Sequence, residues 1–197
     1  MLCQDLEHPN NVYPWRHLNR RLGVEVRSVS PRDGAIPTDE ILAQINENTR
    51  MVTASSVTFA PGFRTDIGPI GAVCRERDIL FLVDGVQSVG ILNTDVETLN
   101  IDAMAVSTQK GLLGLYGMGF LYCRADWAER LTPVYLARFG VDLGGSGVHE
   151  ASLGDDEYTL MPAARRFDLG NYNYVGVAAA DASISMMHEL GPQAIED

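Results

Sequence analysis

Ile79-Leu80-Phe81-Leu82-Val83-Asp84-Gly85-Val86-Gln87-Ser88 is the stretch whose reading decides the fold. Its unbroken apolar run, closed by turn residues, predicts a strand buried on both faces, the habit of a central strand in a parallel sheet. The run stops at a carboxylate followed by glycine. Further along, Ala103-Met104-Ala105-Val106 repeats the arrangement in smaller residues, and Ser107-Thr108-Gln109-Lys110-Gly111 follows it. Two strands, each ending in a polar cluster and a glycine, set the frame for the rest of the chain.

Upstream of that frame the periodicity alternates between strand and helix. Val24-Glu25-Val26-Arg27-Ser28-Val29 begins with a two-residue repeat, and Pro31-Arg32-Asp33-Gly34 supplies a turn. Pro37-Thr38-Asp39-Glu40 predicts a helix start with Thr38 as its cap and two carboxylates in the first turn. Met51-Val52-Thr53-Ala54-Ser55 reads as a strand. After the Pro61-Gly62 turn, Ile67, Ile70, Val73 and Cys74 recur at helical spacing. Downstream, a short helix is expected near Asp95 to Leu99, a strand at Phe120-Leu121-Tyr122 and a helix from Ala125 to Leu131. The first residues read like the inside of a strand. This alternation predicts a three-layer α/β/α domain with a mostly parallel sheet. Residues 1–131 are its core, 132–170 an extended, glycine-rich loop region, and 171–197 a returning helix, lined from Val175 to Leu190 by Val175, Ala178, Ala182 and Met186.

Composition removes several functions. The 197 residues carry 26 acidic and 15 basic side chains, a net charge of −11, with 46% hydrophobic residues. A surface this acidic repels polyphosphate and anionic lipid, so neither nucleic acid nor a membrane is expected as a partner. The longest apolar run falls far short of the roughly 20 residues that span a bilayer. Met1-Leu2-Cys3-Gln4-Asp5-Leu6-Glu7 has neither the basic nor the apolar part of a secretory signal, and three widely spaced cysteines imply no disulfide framework. A cytoplasmic location is the expectation. No Cys/His spacing points to zinc, and Gly144-Gly145-Ser146-Gly147 lacks the ending of a phosphate-binding P-loop.

In parallel α/β sheets ligands sit beyond the carboxyl ends of the strands. Right-handed crossovers would bring Asp84 and Lys110 to one edge and one crevice. A bare ion pair would use the same two residues. A carboxylate, an amide at Gln87, a lysine and small hydroxyl residues together fit pyridoxal phosphate more closely. Its aldehyde needs a lysine, its ring nitrogen an anionic partner, and its phosphate hydroxyls and amides. Lys110 then forms the Schiff base, Asp84 faces the ring nitrogen, Gln87 the ring hydroxyl, and Ser107 with Gln109 the phosphate.

The chain resembles the class V aminotransferase family of fold-type I pyridoxal-phosphate enzymes. Val83-Asp84-Gly85-Val86-Gln87-Ser88-Val89-Gly90 and Ser107-Thr108-Gln109-Lys110-Gly111 carry the resemblance. Leu6-Glu7-His8, Tyr13-Pro14-Trp15 and Arg166-Phe167-Asp168-Leu169-Gly170 support it in the family's order. The resemblance implies the large-domain fold of these transferases, a small amino-acid substrate, and His8 stacked on the cofactor ring. It also implies a homodimer with shared active sites, in which Asn171 reaches the phosphate of the neighbouring subunit's cofactor. Family members are longer, with an earlier phosphate loop and a later domain carrying an arginine for the substrate carboxylate, so the chain corresponds to the central part of the large domain.

Gln109 stands where desulfurases of the family carry histidine, and Phe59 where they carry an asparagine near the cofactor. Both departures favour transamination as the first expectation, with Lys110 as proton shuttle. Cysteine desulfuration or another lyase reaction, epimerisation, and a catalytically incomplete fragment are the alternatives. A nicotinamide oxidoreductase would use the same sheet class, but no G-x-G-x-x-G follows an early strand.

Overall fold

Strand β4 (Leu80–Asp84) lies inside a six-stranded sheet with β1 (Leu2–Gln4), β2 (Arg27–Val29), β3 (Met51–Ser55), β5 (Ala103–Ser107) and β6 (Gly119–Cys123), in the order β2-β1-β3-β4-β5-β6. The pairs β1/β2, β1/β3, β3/β4 and β4/β5 are all parallel. The computed structural model describes residues 1–4, 7–32, 35–144 and 158–197. They fall into two units, one of Met1–Leu121 with Asn173–Asp197, the other Tyr122–Tyr172. Among the described residues no helix is long and apolar enough to cross a membrane. The glycine-rich segment from Gly145 and the acidic triplet Asp155-Asp156-Glu157 lie outside the described residues.

The first unit keeps the strand-helix alternation that the sequence predicts, because helices α1 (Tyr13–Leu22), α2 (Thr38–Ala43) and α3 (Gly68–Glu76) fall between parallel strands. Phe81, Val83 and Val52 have no exposed surface, nor do Ile70 and Cys74 of α3, which packs on β4. The expectation of a strand buried on both faces needs correcting: Leu80, Leu82 and Asp84 are only half-buried, so β4 alternates. The helix starting at Pro37 forms, but Thr38 does not cap it; its hydroxyl donates to the Asp66 carbonyl at 2.8 Å. Nor is there a helix at Asp95 to Leu99. The Asp95 carboxylate accepts the Thr98 N–H (3.1 Å) and hydroxyl (3.0 Å) and the Glu97 N–H (2.9 Å), which closes a turn instead and holds its pKa below the usual value.

Asp102, just before β5, is 1% exposed. Its Oδ2 accepts the Phe81 N–H at 2.9 Å, its own N–H donates to the Phe81 carbonyl at 3.1 Å, and Arg75 lies 3.5 Å from Oδ1. Burial first, and this carboxylate second, push the Cys74 thiol up to about 12, as expected of a packing residue. Helix α5 (Tyr174–Leu190, after α4 below) starts at Asn173, whose side chain accepts the Gly176 N–H at 3.0 Å, and buries Gly176 and Ala180. Helix α6 (Pro192–Glu196) is tied to the same unit through Glu196, which accepts from Arg64 and from the Asn93 N–H, both at 2.8 Å.

The second unit contains α4 (Ala125–Arg130), the antiparallel pair β7 (Val141–Asp142) and β8 (Thr159–Leu160), and 3-10 turns at Arg138–Gly140 and Ala163–Phe167. Arg166, 6% exposed, is its centre. The guanidinium donates to the Met161 and Glu129 carbonyls and pairs with the Glu129 carboxylate at 2.8 Å. The Ala163 N–H first, and Arg166 second, hold Glu129 below its usual 4.5. A carboxyl group whose pKa is lowered by folding contributes stability above its unfolded pKa and loses it as pH falls through the folded one. Glu129→Gln is therefore expected to be less stable than wild type at neutral pH, with the gap closing as pH drops below 4.5. Urea midpoints across that range check it; a gap independent of pH refutes it.

Candidate active site

The carboxyl ends of β3, β4 and β5 share one edge of the sheet because the strands are parallel, with Ser55 paired to Asp84 and Asp84 to Ala105. Beyond that edge lies a cleft of about 310 Å3, lined by residues that include Glu7, His8, Asn11, Ser55, Phe59, Asp84, Gln87, Ser107, Gln109 and Lys110. Its size sits at the lower end of the range for small-molecule sites, about 300–1,000 Å3. Six of the seven residues singled out from the sequence line it: His8, Asp84, Gln87, Ser107, Gln109 and Lys110. Asn171 belongs to the second unit, where it is exposed.

Two glycines hold the motifs together. Gly90 ends the segment that follows β4, and Gly111 follows Lys110. A Cβ on Gly90 would stand 2.5 Å from the Gly111 carbonyl carbon, and one on Gly111 would stand 2.6 Å from the Val89 carbonyl oxygen. Gly90 also sits at φ 90°, a conformation that other residues adopt only with strain. Backbone therefore packs on backbone between the two loops, and this contact sets where Lys110 stands relative to Asp84.

Asp84 is half-buried, and both of its carboxylate oxygens are held. Oδ1 accepts the Val86 N–H at 2.8 Å and Oδ2 accepts the Asn11 amide at 2.5 Å. Behind Asp84, the Ser56 and Ser88 hydroxyls meet at 2.5 Å, and the Ser56 N–H donates to the Asp84 carbonyl at 3.1 Å. Phe59 is carried on a loop closed by the Thr58 N–H to the Phe63 carbonyl and the Thr65 N–H to the Ser56 carbonyl. Its ring meets His8 edge-on, with centroids 5.1 Å apart at 89°, and the Lys110 ammonium lies 6.0 Å from its centroid. That distance is at the limit of a cation–π contact, so Lys110, exposed in the cleft, is only loosely held.

Ser107 provides the test of whether these residues fit the cofactor that the sequence implies. Its hydroxyl oxygen is buried and has no hydrogen-bond partner among the described residues. An unsatisfied buried polar atom costs about 1–3 kcal/mol, so a hydroxyl left this way in a cleft wall is suited to an acceptor from a ligand. An anchored carboxylate, a loosely held primary amine, flat rings and an unpartnered hydroxyl are the donor set that pyridoxal phosphate needs. Sequence reasoning missed Ser55 and Asn11. The strand-end rule that found Asp84 would have found Ser55; nothing in His8-Pro9-Asn10-Asn11 marks Asn11 except its place beside His8.

Among known proteins, a probable cysteine desulfurase of Methanothermobacter thermautotrophicus is 34% identical over all of this chain and 47% of the relative. The uncharacterized aminotransferase YcbU of Bacillus subtilis is 29% identical over 98% of the chain and 48% of the relative. The cystine C–S lyase C-DES, solved in complex with its reaction product cysteine persulfide, superposes with a TM-score of 0.82 at 26% identity, covering 96% of this chain and 50% of that one. The chain spans about half the length of the relatives it matches. The profile of the family described as Aminotransferase class-V matches residues 1–197, and the chain belongs to that family.

Proposed function

We propose that the protein is a pyridoxal-phosphate-dependent enzyme that cleaves a carbon–sulfur bond of a cysteine-type amino acid. The placement of Asp84 and Lys110 on one cleft, with the unpartnered Ser107 hydroxyl in its wall, is the observation that carries the cofactor reading. The sulfur chemistry rests on the relatives' activities, which displace the transamination suggested by Gln109 and Phe59 to second place.

When bound, the cofactor supplies an electron sink for negative charge at the substrate α-carbon. Lys110 would hold the cofactor's aldehyde until the substrate's amine takes its place there, and its freed amine would then be the base that takes and returns the α-proton. Asp84 would pair with the ring nitrogen and keep it protonated. His8 would stack on the ring, Gln87 would serve the ring hydroxyl, and Ser107 with Gln109 would serve the phosphate. Asn171 is proposed to act across a homodimer interface at the neighbouring subunit's cofactor, in a cytoplasmic enzyme.

Product analysis tests the reaction. The protein is supplied with pyridoxal phosphate and either cysteine or cystine, or with an amino acid plus a 2-keto acid. Release of sulfide or persulfide from the sulfur substrates is expected. Amino-group transfer to the keto acid without sulfur release would favour transamination, to which Gln109 points.

A further inference from the structure

Asn11 belongs to neither strand-end motif, yet it sits at the centre of the polar network in the cleft. It closes the 3-10 turn Pro9–Asn11. Its amide nitrogen lies 2.5 Å from Asp84 Oδ2, 3.3 Å from Glu7 Oε2 and 3.5 Å from Ser55 Oγ. The Ser55 hydroxyl gives its own proton to Glu7 Oε2 at 2.5 Å, and the Ser55 N–H donates to Glu7 Oε1 at 3.2 Å. The Asn11 nitrogen thus faces three acceptors, which fixes the orientation of the carboxamide: an amide oxygen there would meet two carboxylates with no proton between them. One N–H bond goes to Asp84 and the other toward Glu7, with Ser55 at the outer limit.

The consequence falls on Asp84. A carboxylate at the end of a strand rotates freely unless both oxygens are bound. Val86 binds one and Asn11 the other, leaving each oxygen a further lone pair for a ligand. Glu7, itself held twice by Ser55, prevents Asn11 from turning away.

We infer that Asn11 is a positioning residue: its carboxamide, held by Glu7 and Ser55, fixes the Asp84 carboxylate in the plane from which it binds the ring nitrogen of pyridoxal phosphate. The inference rests on the cofactor reading above. It assigns a role to the donor atoms of Asn11, separate from its bulk, and that separation makes it testable. Asn11→Asp keeps the size, removes both donors and adds a third carboxylate. Asn11→Ser shortens the side chain and adds no charge.

Pyridoxal phosphate is titrated into the protein and each variant, followed by visible absorption and by the pH dependence of that absorption, with thermal unfolding of the cofactor-free proteins alongside. Loss of one charge-assisted bond to Asp84 is expected to weaken uptake ~10-fold in Asn11→Ser and further in Asn11→Asp. Both should displace the absorption–pH profile while the cofactor-free variants, melting somewhat lower for the lost bond, remain folded at the temperature of the titration. Wild-type affinity and profile in either variant overturn the inference and leave the cofactor reading standing. Weaker uptake accompanied by unfolding of the cofactor-free variants also overturns it, since Asn11 would then serve the fold. A wild-type protein that takes up no pyridoxal phosphate overturns the reading itself, and the inference with it.

Discussion

Lys110→Ala is expected to abolish covalent capture of pyridoxal phosphate and to lower the rate of amino-acid conversion by about 10²–10⁴-fold through loss of the α-proton shuttle alone. Among the cleft's described lining residues Lys110 is the one lysine or arginine, so none of them can substitute for it. Stability should not follow activity down. The side chain is exposed, and its ammonium stands 6.0 Å from the Phe59 ring centroid, so its removal leaves no cavity and costs at most a weak cation–π contact. Borohydride reduction followed by peptide mapping locates the attachment. A labelled peptide that does not contain Lys110, or a Lys110→Ala protein that still retains reduced cofactor, removes the residue from its assigned place. Lys110→Arg separates charge from chemistry: a guanidinium keeps the positive field but does not condense with an aldehyde at neutral pH, so it should fail as alanine does.

Asp84 and Lys110 were legible because a buried strand cannot end in a charge without reason. In a parallel sheet such ends converge, and the β4/β5 pairing places Asp84 opposite Ala105 as that rule requires. The glycines closing both motifs were visible as letters, but their contact was not: that Gly90 and Gly111 touch depends on two loops meeting in space. Phe59 stood out as a departure from the family's pattern, and the structure shows its ring edge-on to His8 and 6.0 Å from the Lys110 ammonium. Asn11 was illegible for a physical reason. Its partners Asp84 and Ser55 are distant in sequence and reach it only because β1 lies beside β3. The Asp95 turn misled in another way, because short stretches of Asp and Thr suit a helix start and a side-chain-closed turn equally well. Among the described residues of 122–172 the regular elements run from two to six residues, too short for periodicity to show, and Arg166 organises them through carbonyls and one carboxylate.

Asp102→Ala is the substitution expected to cost the fold most, about 3 kcal/mol. It strips a buried backbone N–H, that of Phe81, of a charged acceptor at 2.9 Å inside the sheet. Such bonds contribute about 1.5–3 kcal/mol, and the orphaned donor adds its desolvation. The ion pair with Arg75 contributes little, since that guanidinium is 40% exposed. Asp102→Asn separates the two effects: a carboxamide oxygen still accepts from Phe81, so the loss should fall to about 1 kcal/mol, that of a bond to a neutral acceptor. Urea unfolding with an unchanged slope reads both differences. Equal losses in the two variants would mean that the charge, and not the acceptor, is what the sheet uses. The effect should reach the cleft as well. Phe81 lies on the strand that ends in Asp84, and Asp102 immediately precedes the strand that ends in Ser107. The Asp102 carboxylate thus fastens β4 to β5 at the end opposite the site, and a register loosened there shifts Asp84 relative to Ser107. Asp102→Ala is therefore expected to weaken pyridoxal phosphate uptake even under conditions where the protein remains folded, while Asp102→Asn should bind nearly as wild type does.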